Sequence, residues 1–214
     1  MRIFIDSADT YAIAKAYDTG VIAGVTTNPT LIMKSGRNPE EVYDELINEI
    51  GVQDLSMEVY GSYEQMVNEG RRLSEKYGPA ATIKVPMTQD GLRACQILSR
   101  QGIRVNVTLI FCIPQAVLAA NSGAYYVSPF VGRLDDQQIA GLEVVRGISD
   151  LYQRQRQMTK VLAASIRSVH KAVRSFYNGA EVVTMPPKVF DQMWNHMLTD
   201  QGLEIFENDI KSIK

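Results

Sequence analysis

Residues 81–110, ATIKVPMTQDGLRACQILSRQGIRVNVTLI, carry the pattern that decides the fold. ATIKVP (81–86) reads as a strand, a helix follows from about Gly91 to Arg100, and RVNVTLI (104–110) is the next strand. The same unit repeats in both directions. Towards the N-terminus, RIFID is a strand with a helix from Asp9 to about Tyr17, and GVTTN is a second strand. Asn38 with Pro39, Glu40 and Glu41 gives an N-cap, a first-turn proline and an acidic start for EEVYDELINEI. LSMEVY is a third strand, and Ser62 with Gln65 forms a capping box that opens YEQMVNEGRRLSEKY. Towards the C-terminus, a helix from about Pro114 to Asn121 precedes the strand AYYVSPF, and a long helical run extends from roughly Gln137 to Gln155. KVLAAS with a helix from about Val169 to Tyr177, and EVVTM with PKVFDQMWNHM, complete the series before a final amphipathic helix near LEIFENDIKSI.

Eight strand–helix units in strict alternation call for parallel strands with crossover helices. The leading architecture is therefore an α/β fold, a (β/α)8 TIM barrel over residues 1–214, with an extra C-terminal helix at about 200–214. A doubly wound open sheet is the runner-up, but DSADT after the first strand is not the glycine-rich turn which that fold needs for nucleotides.

The 214 residues are 45% hydrophobic and 21% charged, a globular composition that can bury a core without staples. Lys and Arg total 22 against 24 Asp and Glu, a formal charge of -2 that argues against duplex nucleic acid as a partner. Two cysteines, Cys95 and Cys112, make no disulfide framework, and with two scattered histidines they make a metal site improbable. The longest apolar stretch, VNVTLIFCIPQAVLAA, is too short and too polar to span a bilayer. Asp6 and Asp9 interrupt what would be the apolar segment of a secretory leader, so a cytoplasmic protein is expected.

In a barrel, alternate side chains face the interior. Parity then sends Ser56 and Glu58, Thr82 and Lys84, and Arg104, Asn106 and Thr108 inward, with the intervening apolar residues facing the helices. Asp6, Thr26, Thr27, Asn28, Ser128 and Ser165 stand at strand ends, on the C-terminal face where barrel enzymes build their sites. Lys84 is the residue to single out. An ammonium aimed into a barrel is costly unless paired or deprotonated, and a neutral amine in a dry pocket attacks carbonyls. The plainer reading is a lysine that reaches out to solvent; Lys160, at the start of its strand, is expected to do that. Asp6 and Glu58 would supply the proton transfers of such chemistry, or would each be half of a structural ion pair. Asn28 and Asn106 suit hydroxyl recognition or turns. Arg133 and Arg167, on neighbouring loops, suit a phosphate; the plainer alternative for Arg133 is a surface ion pair with Asp135 or Asp136. His170 and His196 read as helix-surface residues, Cys112 as a buried inert thiol, and Met185-Pro186-Pro187 as a helix start.

In register along the whole chain, GVTTNPTLI, IKVP, NVTLIF, VSPFVGR and AASIR resemble the motifs of the transaldolase family, in its short-chain subgroup that also contains fructose-6-phosphate aldolases. The resemblance implies a Schiff-base mechanism without metal or cofactor, acting on sugar phosphates in the pentose phosphate pathway. Lys84 would form the imine and Asp6 would take the C4 hydroxyl proton. Glu58 and Thr108 would move protons during imine formation and hydrolysis. Asn28, Asn106 and Ser128 would hold the three-carbon unit, and Arg133, Ser165 and Arg167 the phosphate. The aldolase subgroup carries Gln where this chain has Glu58 and Tyr where it has Phe130, so both positions match the transferase pattern. Cys112 departs from the Ser common after TLIF. Relatives of this length form ring-shaped pentamers or decamers, so a homo-oligomer is expected.

Overall fold

A computed structural model describes residues 1–213. Eight parallel strands close in sequence order into a barrel: β1 (Arg2–Asp6), β2 (Ile22–Thr26), β3 (Leu55–Glu58), β4 (Ala81–Pro86), β5 (Val105–Ile110), β6 (Tyr126–Pro129), β7 (Lys160–Ala163) and β8 (Val182–Met185). Around them run α1 (Thr10–Tyr17), α2 (Pro29–Ser35), α3 (Pro39–Asp44), α4 (Tyr63–Tyr77), α5 (Gln89–Arg100), α6 (Ile113–Asn121), α7 (Val131–Asp136), α8 (Gly141–Arg154), α9 (Val169–Tyr177), α10 (Pro187–Gln192) and α11 (Met197–Ile213). The TIM-barrel architecture and the C-terminal helix are thus as the alternation of the sequence indicates.

Local chemistry explains the joints. Asp9 accepts from the Ala12 N–H to cap α1, Asn38 caps α3 ahead of Pro39, and Ser62 and Gln65 close the expected capping box of α4. Three expectations need correction. GVTTN is strand only as far as Thr26, because Asn28 turns the chain and caps α2, a helix the sequence reading left out. The helix expected from Gln137 to Gln155 begins only at Gly141 as α8, because Gln138 takes a left-handed φ of 59°, and a separate short helix, α7, precedes that break. EEVYDELINEI does not stay α-helical: α3 loosens into a wide turn over Glu45–Glu49.

The core lies mainly between strands and helices, where Ile5, Val25, Leu55, Met57, Ile83, Val85, Val105 and Val107 are fully buried. A smaller cluster of Phe4, Tyr126, Leu162 and Val182 fills the barrel interior. Gly24 makes room for it, since a Cβ there would stand 2.5 Å from the Phe4 ring. Beneath, at the N-terminal end, Asp54 is 1% exposed and accepts from Thr82 Oγ1 (2.8 Å), Tyr126 Oη (2.8 Å), Arg2 Nη2 (3.2 Å) and Arg104 Nη1 (3.2 Å). This charged floor closes the barrel and leaves the opposite mouth for polar groups with fewer partners. Among the described residues no helix is long and apolar enough to cross a membrane. No residue of α11 is buried, and Leu203, Phe206 and Ile210 lie exposed along it.

Candidate active site

Register brings the mouth together. Glu58 pairs with Lys84 across β3 and β4, Lys84 with Asn106 across β4 and β5, and Asp6 with Thr26 across β1 and β2. Each of these side chains therefore points inward at about the same height. They surround a cavity of about 120 Å³ whose wall includes Asp6, Asn28, Lys84, Asn106, Thr108 and Ser128, with Phe130, Arg133 and Ser165 at its loop side.

The Lys84 side chain is 6% exposed. Its Nζ donates to the Thr27 backbone oxygen at 2.9 Å and lies 2.9 Å from Glu58 Oε2. Thr27 is itself pinned by a 2.9 Å bond from its hydroxyl to the Ser56 oxygen. A buried ion pair is a weak source of stability, because desolvation offsets most of the attraction. A lysine–carboxylate pair buried at the ends of apolar strands therefore marks a candidate site. Lys160, by contrast, sits at the start of β7, where its Nζ donates to Tyr125 Oη at 2.8 Å and lies over the Tyr125 ring.

Asp6 Oδ1 accepts a 2.7 Å bond from Thr26 Oγ1. Burial pushes the Asp6 carboxyl above the ordinary carboxylate range; Lys84 and the Thr26 bond oppose the rise and the Glu58 charge adds to it. Asn106 Oδ1 accepts from Ser128 Oγ at 2.7 Å and its Nδ2 donates to Ser56 Oγ at 3.3 Å, which fixes which way the amide faces. Asn28 Oδ1 accepts from the Leu31 N–H at 3.0 Å, so this residue caps α2 and still contributes to the cavity wall. Thr108 Oγ1 is buried without a hydrogen-bond partner among the described residues. The next residue, Leu109, has a left-handed φ of 61°, and the β5–β6 register slips between Val107 and Ile110. This bulge aims the Thr108 hydroxyl at the cavity.

Not every expected residue meets at one point. Glu58 touches Lys84 but forms part of the wall of a separate, larger cleft of about 800 Å³ with Pro29, Tyr43, Tyr60 and Arg72. The small cavity is the one lined by Asp6, Lys84 and the unpartnered Thr108 hydroxyl. Arg133 lies over the Phe130 ring, 5.1 Å from its centroid, and has no ion pair among the described residues. It is Arg167 that pairs with Asp136, through both guanidinium nitrogens, one at 2.6 Å. The alternative of an Arg133 ion pair therefore fails, and Asp135 is taken by Lys171 at 3.1 Å. Arg167 and Arg133 share a cleft of about 500 Å³ beside the mouth. Ser165 adopts a left-handed φ of 58°, and its oxygen accepts from the Gly132 N–H at 3.0 Å. A Cβ at Gly132 would stand 2.3 Å from that oxygen, so only glycine lets the two arginine-bearing loops approach this closely.

Sequence reasoning left four cavity residues out of the site, of which two, Thr26 and Thr184, are polar. The parity of EVVTM, which turns Val182 and Thr184 inward, was the available signal for the second. Cys112, expected to be buried, is exposed at the start of α6, whereas Cys95 is buried and its thiol is pushed up to about 11 by desolvation. His170 is exposed on α9, as expected, and His196 is exposed but precedes α11, where its Nδ1 accepts from the Leu198 N–H. Among the described residues no group of three or more His, Cys, Asp or Glu side chains is gathered in a way that could hold a metal ion.

The family profile described as "Transaldolase/Fructose-6-phosphate aldolase" matches residues 3–214. The chain belongs to the transaldolase/fructose-6-phosphate aldolase family. It is 49% identical over 210 residues to a protein of Paracoccus denitrificans named probable transaldolase, covering 98% of this chain and 96% of that one. Probable transaldolases of Cereibacter sphaeroides (46% over 209 residues; 98% and 95%) and Nitrosopumilus maritimus (46% over 216; 100% and 96%) are similar throughout their lengths.

Proposed function

We propose that the chain is a transaldolase, moving a three-carbon dihydroxyacetone unit from a ketose phosphate to an aldose phosphate through an imine on Lys84. The observation that carries this reading is the buried Lys84, which lies 2.9 Å from Glu58 and lines a cavity whose wall also includes Asp6. Transfer of the ammonium proton to Glu58 leaves a free amine able to attack the C2 carbonyl of fructose 6-phosphate or sedoheptulose 7-phosphate. Glu58, now protonated, returns that proton to the departing hydroxyl as the carbinolamine loses water, with Thr108 positioning the water that moves in and out. Asp6 then takes the C4 hydroxyl proton, the C3–C4 bond breaks, and its electrons are received by the iminium as an enamine. The aldehyde leaves, and the enamine adds to glyceraldehyde 3-phosphate or erythrose 4-phosphate by the same steps in reverse.

Asn28, Asn106 and Ser128 hold the hydroxyls of the retained unit. Arg133, Ser165 and Arg167 bind the phosphate, Arg167 exchanging Asp136 for it. The fold and the likeness to named transaldolases support the sugar-phosphate substrate class, and the exposed apolar side chains of α11 support a homo-oligomer. A carboxylate at position 58 in contact with the amine favours transfer over release of free dihydroxyacetone, since it serves as acid and base in the same cycle. The test is glyceraldehyde 3-phosphate release from fructose 6-phosphate with and without erythrose 4-phosphate. Release that depends on the acceptor establishes the transferase; equal release without it makes the protein an aldolase.

A further inference from the structure

Asp6 is held by a chain of two hydroxyls, and the outer one belongs to no step above. Thr26 Oγ1 lies 2.7 Å from Asp6 Oδ1 and 2.7 Å from Thr184 Oγ1. Both threonines are buried, so neither hydroxyl has bulk water as an alternative. A hydroxyl has one proton to donate, and an ionised carboxylate only accepts. When Asp6 is charged, Thr26 must donate to Oδ1, and Thr184 must then donate to Thr26. The charge on Asp6 fixes the order of the whole chain, from β8 through β2 to β1.

We propose that Thr184 is a positioning residue for the reaction: by donating to Thr26 it strengthens the bond that holds Asp6 ready as a base. The inference rests on the reading of Asp6 as the base. A hydroxyl that accepts a hydrogen bond is polarised and donates a stronger one, and the effect is greatest in a dry interior. When Asp6 takes the substrate proton it loses its charge, and Oδ1 accepts from Thr26 more weakly. The pair of threonines thus serves the ionised acid better than the neutral one, and works against the burial that favours the neutral form. The charged groups facing Asp6 are Glu58 from β3 and Lys84 from β4, with the Arg133 guanidinium on the cavity wall from α7. None of them changes in Thr184→Val, which keeps the side-chain shape and removes the hydroxyl.

The experiment is the acid limb of kcat/KM for transfer, measured for the parent, Thr184→Val, Thr184→Ser, Thr26→Val and Asp6→Asn. The substrate phosphate titrates alike in all of them, so a difference belongs to the enzyme. Thr184→Val moves the limb to higher pH by about 0.3–0.5 unit, Thr184→Ser restores it, and Thr26→Val moves it by about one unit. A purely structural role lowers the melting temperature and leaves the limb in place. If Thr184→Val does not fold, Thr184→Cys, a weaker donor of similar size, takes its place with the same direction of shift. A Thr184→Val limb that coincides with the parent's overturns the proposal while an inactive Asp6→Asn leaves the base assignment standing. An active Asp6→Asn overturns both.

Discussion

Replacing Asp54 by Ala separates the stability of this barrel from its chemistry. The carboxylate is buried at the end opposite the proposed site and accepts from two hydroxyls and two guanidinium groups. Its loss orphans Thr82 Oγ1, which has no other partner among the described residues, and leaves the Tyr126 hydroxyl proton without its acceptor, although that oxygen still accepts from Arg2 Nη1. Each orphaned buried hydroxyl costs about 1–3 kcal/mol. The side chains of Arg2 and Arg104 are 35% and 26% exposed, so both can turn partly to water, and the loss of their pairing adds less than a fully buried pair would. The total is about 3–5 kcal/mol, which for a chain of this length is a fall of about 6–20 °C in the thermal midpoint. Urea and thermal unfolding at one fixed protein concentration measure it, and transfer kinetics on the folded variant accompany them. The expected result is a lowered midpoint with kcat within about twofold of the parent. A midpoint within 2 °C, or an unchanged midpoint with lost activity, refutes the division of labour between the two barrel ends.

Asp136→Asn releases Arg167 for phosphate, and because an exposed ion pair contributes about 0.2–1 kcal/mol, KM for fructose 6-phosphate falls by about 1.5- to 5-fold; a rise in KM contradicts the clamp. Asp6→Asn abolishes turnover, yet raises the thermal midpoint. A carboxyl held above its unfolded value binds protons more tightly in the native state, so its stabilising contribution is present at low pH and is lost as pH rises through the raised value. Thermal scans on both sides of the ordinary carboxylate range check the sign: the gain from Asp6→Asn appears at the higher pH and vanishes at the lower. Titration of the native protein with an aromatic disulfide reagent labels Cys112 at once, and Cys95, buried with its thiol pushed up to about 11, only on unfolding; two fast thiols contradict the structure.

The barrel was legible in the sequence because strand parity and helix period alternate without interruption, and helices such as Tyr63–Tyr77 announce their own caps. The seven-residue α2 escaped because two turns are too few to show a period, and because Asn28 reads as a strand end as readily as a cap. The break at Gln138 escaped because a left-handed residue has no signature unless it is glycine or asparagine. Parity found Lys84, Glu58, Asn106 and Thr108. It could not distinguish Arg133 from Arg167 as the ion-paired arginine, since that depends on how two loops cross at Gly132. Nor could it find Asp54, which precedes its strand and gains partners from four other segments only when the barrel closes.

The central claim is that Lys84 forms a covalent imine with the substrate. Borohydride added during turnover of fructose 6-phosphate, followed by peptide mass spectrometry, tests it directly. The account predicts a reduced three-carbon adduct on the peptide carrying Lys84, and none in Lys84→Ala. An adduct mapped to Lys160, or a parent protein that turns over and stays unmodified, contradicts it.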